Sequence, residues 1–338
     1  MSTLKLPQTP VLVTGAAGFI GFHTVRRLLA AGFEVDGVDN LTGAADPMLQ
    51  QARWRFLAGL PGFRPFETDL ADGLTLQKLF ERRQYSQVIH LAARVGVRDS
   101  VRKPQAYLQS NLQGFLNLLE ACRRVPLRHL IYASSSSVYG ARESGPFAED
   151  SVTDSPVSFY AASKKSNELM AHAWSELHGI PATGLRFFTV YGPWGRPDMA
   201  IYRFARAILT GKPIRLYNHG RMKRDFTYVD DAVEVILRSM TAAPNSTRVM
   251  NVGGGRPVEL KDLVGTMERV LNHRAVIENL PMQAGDVPLT SADTSRLREV
   301  LNYVPSTGLD EGIRKFAAWF QDYHGYSRSQ RKREYVYR

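Results

Sequence analysis

Apolar residues in the first half of the chain alternate between two rhythms. Short runs rich in Val, Ile and Leu stand at Val11–Thr14, Glu34–Asp39, Arg64–Glu67, Gln87–Leu91, His129–Ala133 and Thr183–Phe188. Longer segments with apolar positions three or four apart lie between them, at Ile20–Ala31, Leu74–Arg83, Gln105–Arg124 and Tyr160–His178. Strands alternating with helices predict an α/β fold whose parallel sheet is doubly wound, with helices on both faces. The run Pro10-Val-Leu-Val-Thr14 is apolar almost throughout, as a strand covered on both sides requires. After about Tyr191 the rhythm changes. A Gly/Pro-rich loop, Gly192–Pro197, leads to helices near Met199–Thr210, Val229–Met240, Leu260–Leu271 and Leu309–His324, with short strands near Ile214–Tyr217 and Arg248–Val252. The expected organisation is a nucleotide-binding lobe over 1–190, a smaller, partly interleaved mixed α/β lobe over 191–326, and a basic tail over 327–338.

Composition narrows the class. At 338 residues, 44% hydrophobic and 22% charged, the chain is ordinary globular material. It has no apolar run near the ~20 residues that span a bilayer. Val11–Phe22 holds three glycines with one Lys (Lys5) upstream and no small-residue cleavage site after it, so it reads as strand, turn and helix start rather than a signal segment. One cysteine, Cys122, permits no intrachain disulfide and fits a reducing cytosol. The formal charge of +11 is spread along the chain. Only Arg221, Lys223 and Arg224, and the tail from Arg328 to Arg338, are clustered. Dispersed positive charge suits an anionic small substrate better than a nucleic acid, which calls for one concentrated basic face.

Val11-Leu-Val-Thr-Gly15-Ala-Ala-Gly18-Phe-Ile-Gly21 places three glycines directly after a buried strand, opening a helix at Phe19 and Ile20. A tight turn there lets the backbone approach a pyrophosphate, and the helix N-terminus offers oriented N–H groups to the anion. Asp39 ends the second strand, 24 residues after Gly15, where a carboxylate accepts ribose hydroxyls and repels a 2′-phosphate. NAD is therefore expected over NADP. Asp69 and Leu70 are expected near the adenine. Leu91, Ala92 and Ala93 end the fourth strand in residues that let a cofactor pass close over the sheet edge, and Val190 is expected to line the same crevice. The eight histidines form no metal-ligand spacing, and no metal is expected.

Tyr160-Ala-Ala-Ser-Lys164 sets a phenol and an amine one helical turn apart. The spacing gains meaning from Ala133-Ser-Ser-Ser-Ser-Val-Tyr-Gly140, which leaves the fifth strand 25 residues before Tyr160. Doubly wound sheets gather reactive groups at the C-terminal ends of their strands. A phenol of pKa about 10 is a poor base at neutral pH. The Lys164 ammonium and a positive nicotinamide ring are expected to lower it, so that Tyr160 takes the proton of a substrate hydroxyl while Ser135 hydrogen-bonds the same oxygen.

With these residues in view, the chain resembles the extended short-chain dehydrogenase/reductases, in their nucleotide-sugar epimerase branch. The glycine turn, Ser135, Tyr160 and Lys164 carry the likeness, with Arg186–Pro193, Gly220–Asp231 and Gly285-Asp286. Pro193-Trp-Gly-Arg-Pro-Asp-Met199 followed by Gly211-Lys-Pro-Ile214 is most similar to UDP-glucuronate 4-epimerases. The resemblance implies a Rossmann-type lobe and bound NAD regenerated at each turnover. It also implies C4 oxidation, rotation of the 4-keto sugar and return of hydride to its other face. By the same resemblance Arg224 would hold the UDP diphosphate and Asp286 the uridine ribose. Thr189 and Arg196 would hold the C6 carboxylate, Ser136 and Ser137 would line the sugar, and Arg98 would lie near the pocket. Dimers in this branch form through two helices per subunit, here Gln105–Arg124 and Tyr160–His178, so a homodimer is expected.

Neighbouring chemistries differ by residue type. The 4,6-dehydratases place an acidic pair where Ser136 and Ser137 stand, and UDP-glucuronate decarboxylases carry an acidic residue in that stretch. UDP-galactose epimerases typically have Asn at the position of Thr189. Another UDP-sugar epimerase or a decarboxylase is the alternative on this scaffold. The different-class alternative is a non-catalytic NAD-sensing or nucleic-acid-binding protein. The chain departs from the branch at Arg94-Val95, where Gln-Ala is more usual.

Overall fold

The computed structural model describes residues 9–43, 45–142, 144–282 and 287–326. Strands β1 (Val11–Thr14), β2 (Val35–Asp39), β3 (Phe63–Glu67), β4 (Gln87–His90), β5 (His129–Ser135) and β6 (Ala182–Phe187) occupy the first 190 residues. They are followed by β7 (Thr189–Tyr191), β8 (Pro213–Tyr217), β9 (Lys223–Tyr228), β10 (Thr247–Val252), β11 (Pro257–Glu259) and β12 (Val276–Leu280). Among the described residues, seven strands form one sheet in the order β3-β2-β1-β4-β5-β6-β10, every pairing parallel. The order reverses between β1 and β4, which opens a crevice at their C-terminal ends. The run Arg248–Val252, expected among the elements of the second lobe, instead closes this sheet: β10 pairs along all of β6, Thr247 beside Ala182 through Val252 beside Phe187. Its Met250, Asn251 and Val252 are buried on both faces, which explains the seating. Beside the main sheet lie a three-stranded sheet, β11-β9-β7, and the pair β12-β8.

Helices α1 (Phe19–Ala30), α2 (Pro47–Ala58), α3 (Gly73–Arg82), α4 (Val97–Arg102), α5 (Pro104–Tyr107), α6 (Gly114–Cys122) and α7 (Phe159–His178) cross between the early strands. The second half adds α8 (Ala200–Thr210), α9 (Val229–Thr241), α10 (Leu260–Leu271), α11 (Ser295–Leu301) and α12 (Leu309–Tyr323). Sequence rhythm misses α2, because its inward face carries Gln50 and Arg53 between Leu49 and Leu57. Asp46 caps it, accepting from the Leu49 N–H at 3.0 Å, and Pro47 opens it. The predicted single helix Gln105–Arg124 is broken by a π-helical turn, Leu108–Gln113, that presents Asn111 inward. Such turns recur at functional sites. Among the described residues, no helix is long and apolar enough to cross a membrane.

Three histidines are buried in this core as neutral rings. Burial lowers the pKa of His23 to about 4 and those of His90 and His129 to about 3. Unfolded, each titrates near 6.5. Above that pH both states are neutral and nothing changes. As pH falls from 6.5 towards 4, the unfolded chain takes up protons that the folded chain refuses. Stability then drops by on the order of 1 kcal/mol per pH unit per histidine. Asp39, Asp225 and Asp230, whose burial raises their pKa, act in the opposite sense. The urea midpoint is expected to fall between pH 6.5 and 4.5, and His129→Gln is expected to remove about one proton from that slope. An unchanged slope in the variant would reject this account.

Candidate active site

β1 delivers the chain into the glycine turn at the crevice. Gly15 has φ +70°, and a Cβ there would lie 2.6 Å from the Ala92 nitrogen, so the turn presses against the end of β4. At Gly21 a Cβ would stand 2.0 Å from the Gly15 carbonyl oxygen, the atom that already accepts from the Gly18 N–H at 2.9 Å. No side chain caps the N-terminus of α1, and its first turn holds no acidic residue, so the oriented N–H groups there suit an anion. Phe19 is buried and Ile20 half-buried at this helix start. The cradle fits a dinucleotide pyrophosphate. Gly21→Ala is therefore expected to push α1 away from the turn, and the purified variant to carry less than a tenth of the nucleotide that wild type carries, read from the ultraviolet spectrum of the denatured extract.

Asp39 ends β2 against this turn. Its Oδ2 accepts from the Ala17 N–H (3.0 Å), and its Oδ1 from the Leu41 N–H (2.9 Å) and Gln50 Nε2 (3.0 Å). Three of its roughly four acceptor positions are filled, which leaves one on Oδ2 rather than two open oxygens for the two ribose hydroxyls. Burial pushes the carboxyl pKa up, opposed by these donors and by Arg53. Arg53 is 4% exposed and donates three hydrogen bonds to the carbonyls of Ala17 and Trp194, and thus ties the turn to the Gly/Pro-rich loop. Burial lowers its pKa to about 10. Asp69 accepts from Asn40 Nδ2 and the Ala71 N–H, both at 2.8 Å, and Leu70 is buried beside it. Leu91 and Ala92 are held by Thr14, through its carbonyl (3.0 Å) and its hydroxyl (3.3 Å). Ala93 follows, half-buried.

Helix α7 brings the reactive pair together. Ser158 caps it at the Ala161 N–H (3.1 Å), which puts Tyr160 and Lys164 in its first turns. Three consecutive residues of β5 meet one face of α7. Ser135 lies close enough to the Tyr160 phenol to draw its pKa down, Lys164 Nζ donates to the Ala133 carbonyl at 2.9 Å, and Ser134 Oγ donates to Glu168 at 2.6 Å. Tyr160, Lys164 and Glu168 stand at i, i+4 and i+8, so the register of helix on strand is fixed at three points. Glu168 is doubly bonded by Arg186 Nε and Nη2, both at 2.8 Å, and both residues are buried. Sequence reading missed Glu168; its signal was the four-residue step beyond Lys164. Asn111 was missed too. It clasps the Arg94 backbone and donates to Ser163 Oγ (2.9 Å), which donates to the Tyr160 carbonyl (2.8 Å).

The titration picture corrects one expectation. Burial holds the Tyr160 phenol above its ordinary range, and the opposing pulls come from the Ser135 hydrogen bond and the Arg196 charge rather than from Lys164. Lys164 is 1% exposed, its Nζ is turned to Ala133, and burial lowers its pKa to about 8.

Around this centre, Ser135 sits in register with Phe187, two residues before Thr189 on β7. Ser136 and Ser137 are half-buried at the strand end, with Ser135 Oγ donating to Ser137 Oγ at 3.1 Å. Val190 is buried on β7. Arg196 is paired with Asp198 through Nε (3.1 Å) and Nη2 (2.5 Å). Arg224 lies on β9, which pairs with β7, and Arg98 is exposed on α4. Asp286 and the basic tail lie outside the described residues.

A doubly wound sheet with a dinucleotide turn and a Ser–Tyr–Lys centre defines a nucleotide-dependent oxidoreductive enzyme class. Residues 11–253 match the model of the NAD dependent epimerase/dehydratase family, and the chain belongs to that family. It is 44% identical over 327 residues to a probable UDP-glucuronate 4-epimerase of Rhizobium meliloti, covering 91% of this chain and 96% of that one. UDP-glucuronate 4-epimerase 1 of Arabidopsis thaliana is 44% identical over 334 residues, covering 94% and 78%. The structure of a Bacillus cereus UDP-glucuronic acid 4-epimerase in complex with UDP-glucuronic acid and NAD superposes with a TM-score of 0.87 at 33% identity, covering 93% of this chain and 99% of that one.

Proposed function

We propose that the chain is an NAD-dependent UDP-glucuronate 4-epimerase, an isomerase that interconverts UDP-glucuronate and UDP-galacturonate through a 4-keto sugar. What supports the choice of sugar is the likeness along nearly the whole chain to UDP-glucuronate 4-epimerases, one of them solved with UDP-glucuronic acid and NAD. In this reading Arg196 is the carboxylate-binding cation, since in a hexuronate the C6 carboxylate lies close to the carbon that is oxidised. Asp198 takes Nε and Nη2 of Arg196, which leaves Nη1 to share with the sugar carboxylate.

Bound NAD supplies the hydride acceptor and, once the sugar has rotated, the donor. Tyr160 takes the C4 hydroxyl proton and Ser135 holds the same oxygen. Lys164 anchors the base of this pair to β5. Burial holds the phenol above its ordinary range, and a positively charged nicotinamide ring, when bound, would lower it again. Ser136 and Ser137 line the sugar without an acid or base for dehydration, and Thr189 with Arg196 holds the carboxylate out of line with the keto group. In this reading residues 191–326 supply most substrate contacts, with Arg224 at the diphosphate, Asp286 at the uridine ribose and Arg98 at the pocket rim.

Purified protein incubated with UDP-glucuronate and no added cofactor is expected to yield UDP-galacturonate. UDP-xylose as the product would mean decarboxylation, and no turnover even with added NAD would reject both. The same reading includes a cytosolic homodimer. Leu108 on the π-helical turn and Leu169 on α7 are 46% and 58% exposed on the two helices that would pair. A light-scattering mass of 37.9 kDa, that of one chain, would refute the dimer.

A further inference from the structure

In the main sheet β1 lies between β2 and β4. The loops that follow β2 and β4 therefore flank the glycine turn that follows β1. Arg94, in the loop after β4, reaches across to the loop after β2. A Cβ at Gly43 would lie 3.1 Å from its Cζ and Nη2 and 3.2 Å from its Nη1. These near-equal distances turn the face of the guanidinium to the Gly43 backbone. The side chain thus spans from the loop after β4 to the loop after β2, the two loops that flank the strand leading into the glycine turn. Its root is fixed, since Asn111 Oδ1 accepts from the Arg94 N–H (2.8 Å) and Asn111 Nδ2 donates to the Arg94 carbonyl (3.0 Å). Yet Arg94 Nε is buried without a hydrogen-bond partner. Arg53, another guanidinium at this turn, gives three of its five donors to the carbonyls of Ala17 and Trp194. The helix N-terminus of α1 supplies only about half a positive charge against the two negative charges of a pyrophosphate.

We propose that Arg94 is a strap across the bound dinucleotide, its guanidinium donating to the pyrophosphate from the side opposite α1 and slowing cofactor release. The proposal rests on the nucleotide reading of the Gly15–Gly21 turn. It gives a purpose to a guanidinium whose root is fixed by Asn111 and whose Nε has no hydrogen-bond partner.

The test is the rate at which purified holoenzyme loses its NAD to a chase of labelled NAD, at rising NaCl. Arg94→Gln is expected to release NAD roughly 10- to 100-fold faster than wild type. Salt is expected to accelerate release from wild type, and this acceleration is expected to flatten in the variant, which a merely structural role of Arg94 would not produce. Release as slow and as salt-dependent as in wild type overturns the proposal. Should Arg94→Gln not fold, Arg94→Lys, which keeps the charge but not the planar fork, is expected to release NAD several-fold faster, and wild-type release from it overturns the proposal equally. A loss confined to competing NADP would assign the guanidinium to a 2′-phosphate and also overturn it. A wild-type protein that holds no nucleotide and takes up none would instead overturn the nucleotide reading itself.

Discussion

Tyr160→Phe is expected to lower kcat roughly 10²- to 10⁴-fold while the purified variant keeps its nucleotide and its melting temperature. The ring stays, so its edge-to-face contact with Tyr107, at 6.3 Å between centroids, survives. What goes is the single oxygen whose pKa Ser135 and the charge of Arg196 draw down against its burial. Both features matter only if a proton is to be passed at that point. Because burial holds the phenol up, the oxygen would be a costly ornament in a purely structural site. KM for UDP-glucuronate should change far less than kcat, since the sugar is bound mainly through other residues. Turnover within a few-fold of wild type, measured with nucleotide content matched, would remove Tyr160 from its role.

The second large effect concerns stability. Glu168→Leu is expected to cost about 3–5 kcal/mol, because it strands the Arg186 guanidinium, 3% exposed, without its carboxylate. Arg186→Met should cost a similar amount for the converse reason. Arg186 also donates to the Tyr139 hydroxyl and the Glu149 carbonyl, both at 3.0 Å, so its removal loosens the segment that follows β5 as well. The double variant is the informative one. Replacing both charges by apolar side chains removes the stranded charge, so its loss should be clearly smaller than the sum of the two single losses. Urea unfolding of the four proteins measures the cycle, and simple additivity would show that the pair acts independently. The single variants should also lose activity, since the Ser134–Glu168 bond helps set α7 against β5 where Ser135 meets Tyr160.

The parts of this molecule that sequence rhythm revealed are those whose burial is one-sided or complete. β1 is buried at all four positions, and its predicted span, Val11–Thr14, matches the observed one. The glycine turn was legible because only glycine tolerates its crowding. α2 was illegible because Gln50 and Arg53 face inward to serve Asp39 and the glycine turn, so a helix with the right spacing shows the wrong polarity. Helix α7 was placed to within a residue, but its i+8 contact was not, since a glutamate on a helix ordinarily reads as solvent-facing. The direction of the Lys164 ammonium could not be read either. It depends on β5 offering the Ala133 carbonyl, a tertiary fact with no local signal. Nor could a five-residue strand pattern at 248–252 say which sheet it would join.

That seventh strand has an evolutionary and practical consequence. A fragment ending near residue 190 would leave the six residues of β6 as a bare margin, their outward N–H and C=O groups ready to recruit any passing extended chain. The nucleotide half cannot be lifted out as a portable module, and gene fusions or split reporters built at that seam should precipitate unless the later segment is supplied alongside.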